Sequence, residues 1–247
     1  MFTRNVADGI HRIENAYVNV YLVEDGDRVA IIDTGLPAIW PELQSALAEI
    51  GAGSGKVSHV ALTHAHFDHL GVAAKMQSEY RVPVLVHRSD SFIAAHPYRY
   101  KHEKPRFMYP VRYPKAVPML FAMAKAGALK VKGLADMRYL DMGTADYLPG
   151  NPEIIHTPGH TAGHAILHFP ERDAVICGDA LVTLNPYTGK RGPHIVAGAA
   201  TEDSKVALDS LDLIAATGAS TLLPGHGDPW TGGAEAAVRM AKSNGPS

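Results

Sequence analysis

Thr63-His64-Ala65-His66-Phe67-Asp68-His69-Leu70-Gly71 places four side chains able to bind a transition metal within six positions. The string follows an apolar run, Val57 to Leu62, that reads as a strand. Imidazole and carboxylate suit zinc, iron and manganese, and two such ions held close together activate water. A solvated histidine-rich loop is the bland alternative. The sequence on either side argues against it.

Upstream, Ala16 to Val23 and Arg28 to Ile32 are rich in β-branched and aromatic residues. Glu24-Asp25-Gly26-Asp27 supplies turn chemistry between them, which predicts a hairpin. The second strand runs into Asp33-Thr34-Gly35 and so places a carboxylate at a strand end. Pro37, Ile39, Leu43, Leu47 and Ile50 give a helix with an apolar stripe, stopped by Gly51. Gly51-Ala52-Gly53-Ser54-Gly55-Lys56 has neither the spacing nor the strand-to-helix order of a phosphate loop. It reads as a helix-to-strand connection.

Downstream, Glu153 to His156, His164 to Phe169, Ala174 to Cys177 and Thr221 to Leu223 read as strands. Thr201 is expected to cap a helix that carries Glu202 and Asp203 in its first turn and buries Leu208, Leu211 and Ile214. Three segments put a further ligand type at a strand end. They are Thr157-Pro158-Gly159-His160-Thr161-Ala162-Gly163-His164, Cys177-Gly178-Asp179-Ala180 and Leu223-Pro224-Gly225-His226-Gly227. Loops at strand ends bring ligands distant in sequence to one edge of a sheet.

Between the halves, residues 92–141 are rich in proline, and Arg99, Lys101, Lys104, Arg106, Arg112 and Lys115 interleave with tyrosines. This segment is expected to be an insertion that caps the active site of a single domain spanning 1–247. No linker divides the 247 residues. The formal net charge of −2 gives no global pull toward nucleic acid or an anionic membrane. The lone Cys177 excludes an internal disulfide and reads as a packed strand residue. The N-terminus has no signal-peptide pattern, and the longest strongly apolar stretch, Val117 to Ala124, is far short of a membrane span. A cytoplasmic enzyme acting on a small molecule is the expectation, with no nucleic-acid or membrane partner and a homodimer left open.

Taken in order, Asp33-Thr34-Gly35, the His64–His69 cluster, His160, Asp179 and His226 resemble the metallo-β-lactamase-fold hydrolases. The resemblance covers the chain except residues 92–141. It implies an α+β fold, a four-layer αββα sandwich, with a dinuclear metal site at one edge. His64, His66 and His160 would hold one ion, Asp68, His69 and His226 the other, and Asp179 would bridge them. Asp33 would support a metal-binding histidine from behind, while His164 would bond the local loop instead of a metal. The implied cofactors are two divalent ions, zinc first, with iron or manganese as alternatives. The implied reaction is attack of a metal-bridging hydroxide on an ester, thioester or lactone carbonyl, with Asp68 handling its proton.

Within the family, the segment from Thr157 to His164 looks more like the glyoxalase II branch. Only 21 residues follow His226, so glutathione specificity is not expected. The acyl-homoserine lactonases share all seven ligands but usually carry a tyrosine where this chain has Val182, with Tyr187 nearby and off register. Two alternatives stand beside this reading. One is an iron-dependent oxidoreductase on the same scaffold, like persulfide dioxygenases; the other is an amide hydrolase like the zinc β-lactamases.

Overall fold

The computed structural model describes residues 1–247. The chain opens with four antiparallel strands, β1 (Phe2–Ala7), β2 (Ile10–Asn15), β3 (Val18–Asp25) and β4 (Arg28–Ile32). A 3-10 turn over Pro37–Ile39 leads into α1 (Trp40–Glu49), and β5 (Val57–Ala61) then pairs parallel with β4. The metal-ligand string spans a loop and the short α2 (Phe67–Leu70), followed by α3 (Ala73–Tyr80) and β6 (Val84–Val86). The middle segment holds α4 (Ser91–Ala95), α5 (Tyr109–Arg112) and α6 (Val117–Lys125), then β7 (Arg138–Tyr139) and β8 (Gly143–Thr144). The second half comprises β9 (Glu153–His156), β10 (Ala165–Phe169), β11 (Ala174–Gly178), β12 (Val182–Leu184) and β13 (Arg191–His194). It ends with α7 (Ser204–Ala216), β14 (Thr221–Pro224) and α8 (Ala234–Asn244).

Strands β1 to β7 form one sheet in sequence order, and a second sheet runs β14-β11-β10-β9-β8. Alternation along the strands gives each sheet two apolar faces. Tyr21, Val23, Ile32 and Leu85 from the first sheet meet Ile154, Leu167, Phe169 and Ile176 from the second. The opposite face of the first sheet packs Val20, Leu22 and Ile31 against Leu43, Leu47 and Met76 of α1 and α3. The opposite face of the second packs Ile166, Val175 and Cys177 against Leu211, Ile214 and Val238 of α7 and α8. The outcome is helix, sheet, sheet, helix: the αββα sandwich.

Two local expectations are corrected. β3 starts at Val18, not Ala16, because Ala16 and Tyr17 form the turn from β2, with φ of 50° and 68°. Two consecutive left-handed residues normally call for Asn-Gly, so Ala-Tyr gives no turn signal in sequence; Glu14 Oε1 accepts the Tyr17 N–H at 2.9 Å and braces it. Asp203, not Thr201, caps α7, its carboxylate accepting the Val206 N–H at 2.9 Å. Thr201 is occupied elsewhere, donating its hydroxyl to the Val196 carbonyl at 2.8 Å. Glu202 and Asp203 therefore precede the helix. Leu211 and Ile214 are buried, and Leu208 only partly.

Candidate metal centre

Five strand-end segments converge at one edge of the sandwich, and each is held by contacts that its own sequence leaves unexplained. Asp33 lies just past β4 with φ of 60°, a conformation that Asp tolerates better than most residues. Its Oδ1 accepts the Thr63 N–H at 2.8 Å, and Oδ2 accepts the Thr63 hydroxyl at 2.8 Å and lies 2.9 Å from His69 Nδ1. Thr63 Oγ1 in turn lies 3.1 Å from His64 Nδ1. One carboxylate thus orients two imidazoles and leaves both Nε2 atoms pointing away from it.

The other histidines are fixed in the same way. His226 Nδ1 lies 2.7 Å from the carbonyl of Tyr17, in the left-handed turn between β2 and β3. His160 Nδ1 lies 3.3 Å from the Thr201 hydroxyl. The loop carrying His226 is clamped by Asn19, whose amide donates to the Pro224 and Gly227 carbonyls, and by the buried Arg12. Gly225 must be glycine, because a Cβ there would collide with the Asp179 carboxylate and the His69 ring.

Seven side chains meet. The ligand atoms of His64, His66 and His160 form one group, those of Asp68, His69 and His226 a second, and those of His64, His69 and Asp179 a third; within each group they lie within 4.8 Å of one another. Asp179 sits between the first two groups, with Oδ2 3.4 Å from His160 Nε2 and 3.3 Å from His226 Nε2. Its Oδ1 lies 3.5 Å from His69 Nε2. All seven are buried, Asp68 the least so at 7% exposed.

This donor set fits cations. Nε2 of His64, His66, His69, His160 and His226, together with Asp179 Oδ1, are buried and have no hydrogen-bond partner in the protein. Such orphaned atoms clustered in one place are rare unless a further group satisfies them. Burial, reinforced by neighbouring imidazoles, holds His64 and His66 far below the ordinary histidine value and His160 down at about 3 despite Asp179. Neutral imidazoles offer free lone pairs. Burial works against charge on His69 too, yet Asp179 and Asp33 outweigh it and push that ring up to about 9; Asp179 and Asp68 likewise raise His226. Although burial opposes their ionisation, Asp179 and Asp68 are held below the usual carboxylate range by the facing histidines. The carboxylates therefore demand positive charge at this spot, which two divalent ions supply.

Asp90, which ties the centre together, has no signal in the sequence, whereas Tyr100 and Tyr187 lie where the sequence already drew attention. Asp90 is fully buried between the two ligand loops: Oδ2 accepts from Ala65 N–H at 3.0 Å and Thr161 Oγ1 at 2.8 Å, and Oδ1 from Gly163 N–H at 2.7 Å. Nothing local marks it, since Arg88-Ser89-Asp90 reads as an ordinary turn. Tyr100 packs on His66 with ring centroids 4.0 Å apart, and the Arg106 guanidinium covers its ring at 4.2 Å. Burial, with Asp68 nearby, pushes the Tyr187 phenol up to about 12, so it remains an O–H donor. His59, His87, His156, His168 and His194 stay outside the cluster.

A family profile described as the Metallo-beta-lactamase superfamily matches residues 14–226. The chain is 27% identical over 246 residues to the probable metallo-hydrolase YflN of Bacillus subtilis (strain 168), covering 92% of this chain and 86% of that one. Among solved structures, the metallo-beta-lactamase family protein TTHA1429 from Thermus thermophilus superposes with a TM-score of 0.68 at 25% identity, over 96% of this chain and 79% of that one. TTHA1623, solved in a di-iron-bound form, gives 0.62 at 26% identity, over 91% of this chain and 95% of that one.

Proposed function

This chain belongs to the metallo-β-lactamase superfamily of metal-dependent hydrolases, and on that premise we propose that it cleaves an ester, thioester or lactone at a carbonyl carbon. The observation that carries the proposal is the set of orphaned, buried ligand atoms arranged around Asp179. His64, His66 and His160 would hold one ion, Asp68, His69 and His226 the other, with Asp179 shared. Two divalent ions held there would lower the pKa of coordinated water to about 7 and polarise a substrate carbonyl.

The residues around them do the remaining work. Asp68, ionised and the most accessible of the seven, accepts the proton of the attacking water. Asp33 and Thr63 keep His69 and His64 in the tautomer that presents Nε2. Tyr100 and Tyr187 wall the site beside His66 and Asp68, and the neutral Tyr187 phenol donates to a substrate or leaving-group oxygen. No serine or cysteine nucleophile is needed. Burial raises the Cys177 thiol far above its ordinary value, and its Sγ faces the Leu181 carbonyl at 3.3 Å. We further assign residues 92–141 as the cap of a single domain, since Tyr100 and Tyr109 of that segment pack toward His66 and Tyr187.

The test is elemental analysis of the purified chain together with a panel of p-nitrophenyl esters, acyl thioesters and lactones. Two equivalents of metal and hydrolysis of at least one class are expected, and His66→Ala and Asp179→Ala should lose both. Full activity after metal removal refutes the proposal. The di-iron form of TTHA1623 favours iron as a second reading of the metal; the same elemental analysis separates it from zinc.

A further inference from the structure

The net charge of −2 hides a segregation of sign. Residues 92–142 carry ten Lys or Arg against three Asp or Glu, a net of +7, which leaves the rest of the chain at −9. The same fifth of the chain contains ten of the fourteen large apolar side chains exposed at the surface. Both departures fall on one segment. They are what interaction surfaces show, and single scattered apolar residues do not.

Six of the ten, Phe107, Met108, Val111, Val117, Phe121 and Leu129, lie on α5, α6 and their flanks. Tyr109, Ala116, Met119 and Met123 face the protein and are buried. Val111, Leu129, Phe107 and Phe121, at 85, 80, 78 and 71% exposure, project the other way. Lys104, Arg112, Lys115, Lys125 and Lys130 lie among them, all exposed. Phe107, Val111, Phe121 and Leu129 do not line the cavity that Met108, Tyr109, Arg112 and Tyr113 form beside them. They project from the surface on the stretch that also carries the exposed cations. A protein partner would need matching hollows, whereas a lipid interface accepts protruding side chains of any outline. Docking this face on the same face of a second copy would oppose two surfaces of net +7.

We propose that residues 104–130 form a face that seats peripherally on an anionic lipid bilayer, the apolar side chains entering the headgroup boundary and the cations meeting lipid phosphates. No helix of the chain is long and apolar enough to cross a membrane, so the contact is interfacial. Lys and Arg stems lie along the apolar surface while their charges reach the headgroups.

Co-sedimentation of the full chain with phosphatidylcholine vesicles, with and without half phosphatidylglycerol, tests this. Binding to the anionic vesicles is expected to be roughly tenfold tighter or more, and to weaken with salt as screened charges do. Val111→Ser with Phe121→Ser, and separately Lys125→Glu with Lys130→Glu, should each reduce binding by roughly tenfold. These positions are exposed, so thermal midpoint and circular dichroism should not change. Absence of binding to anionic vesicles at low salt overturns the inference, as does equal binding by both double variants. Self-association in light scattering, lost in the Val111→Ser, Phe121→Ser variant without any lipid binding, would reassign the face to a second copy. Binding to polyglutamate but not to vesicles would reassign it to an acidic protein.

Discussion

His164 Nε2 accepts the backbone N–H of Asp179, and that of Ala180, each at 3.1 Å. Its other nitrogen, Nδ1, lies 2.9 Å from Thr157 Oγ1. A histidine four positions beyond His160 therefore anchors the turn that presents the central carboxylate. His164→Ala is expected to weaken metal binding by roughly 10–100-fold, the usual effect of losing an outer support. His164→Gln retains an acceptor and should recover part of it. Chelator competition measures both, and wild-type affinity in His164→Ala would refute the role.

Asp33 should matter to both halves of the centre, because it contacts His69 directly and His64 through Thr63. Asp33→Ala is expected to weaken both metal equivalents by roughly 10–100-fold. Thr63→Val cuts only the link to His64 and should weaken one equivalent. Metal titrations resolve the two; identical behaviour of the variants would contradict this division.

Asp90 ties the loop of Ala65 to that of Thr161 and Gly163 from a fully buried position. Asp90→Ala strands three donors and should destabilise the metal-free chain by about 3 kcal/mol. Asp90→Asn keeps an acceptor and should lose less. Urea denaturation of the metal-free chain separates this effect from metal loss, and an unchanged midpoint in Asp90→Ala would show that the clamp is unimportant.

His87 stacks on His156 with ring centroids 4.4 Å apart and planes 17° from parallel. Burial, then the facing imidazole, lowers its pKa. Below the unfolded value of about 6.5 the unfolded chain binds a proton that folded His87 resists. Stability is therefore full above that value and declines as pH falls from it toward the lower folded value. His87→Gln should flatten the decline, read as the difference in urea midpoint between about pH 7.5 and about pH 5. An equally steep decline in the variant would count against His87 as the source.

Much of the centre was legible from sequence because ligands come with local punctuation. Histidines at spacings of two, three and five positions, and Pro-Gly-His or Gly-Asp at strand ends, are short-range patterns that survive without tertiary knowledge. The layer order followed from the family resemblance. Strand bounds and caps were weaker: the Ala16-Tyr17 turn carries no glycine, and Thr201 makes as good a cap on paper as Asp203. Both were decided by distant partners, the Tyr17 carbonyl by His226 and Thr201 by His160.

What the chain determined by itself was which side chains can bind cations and which strand ends carry them, since residue type and periodicity are local properties. Only the tertiary structure decided which nitrogen of each imidazole faces the centre, that Asp90 locks two loops, and that the apolar side chains of the basic middle segment are left exposed. Those outcomes depend on contacts between residues tens to hundreds of positions apart. A composition average, or a window of a few residues, contains no information about them.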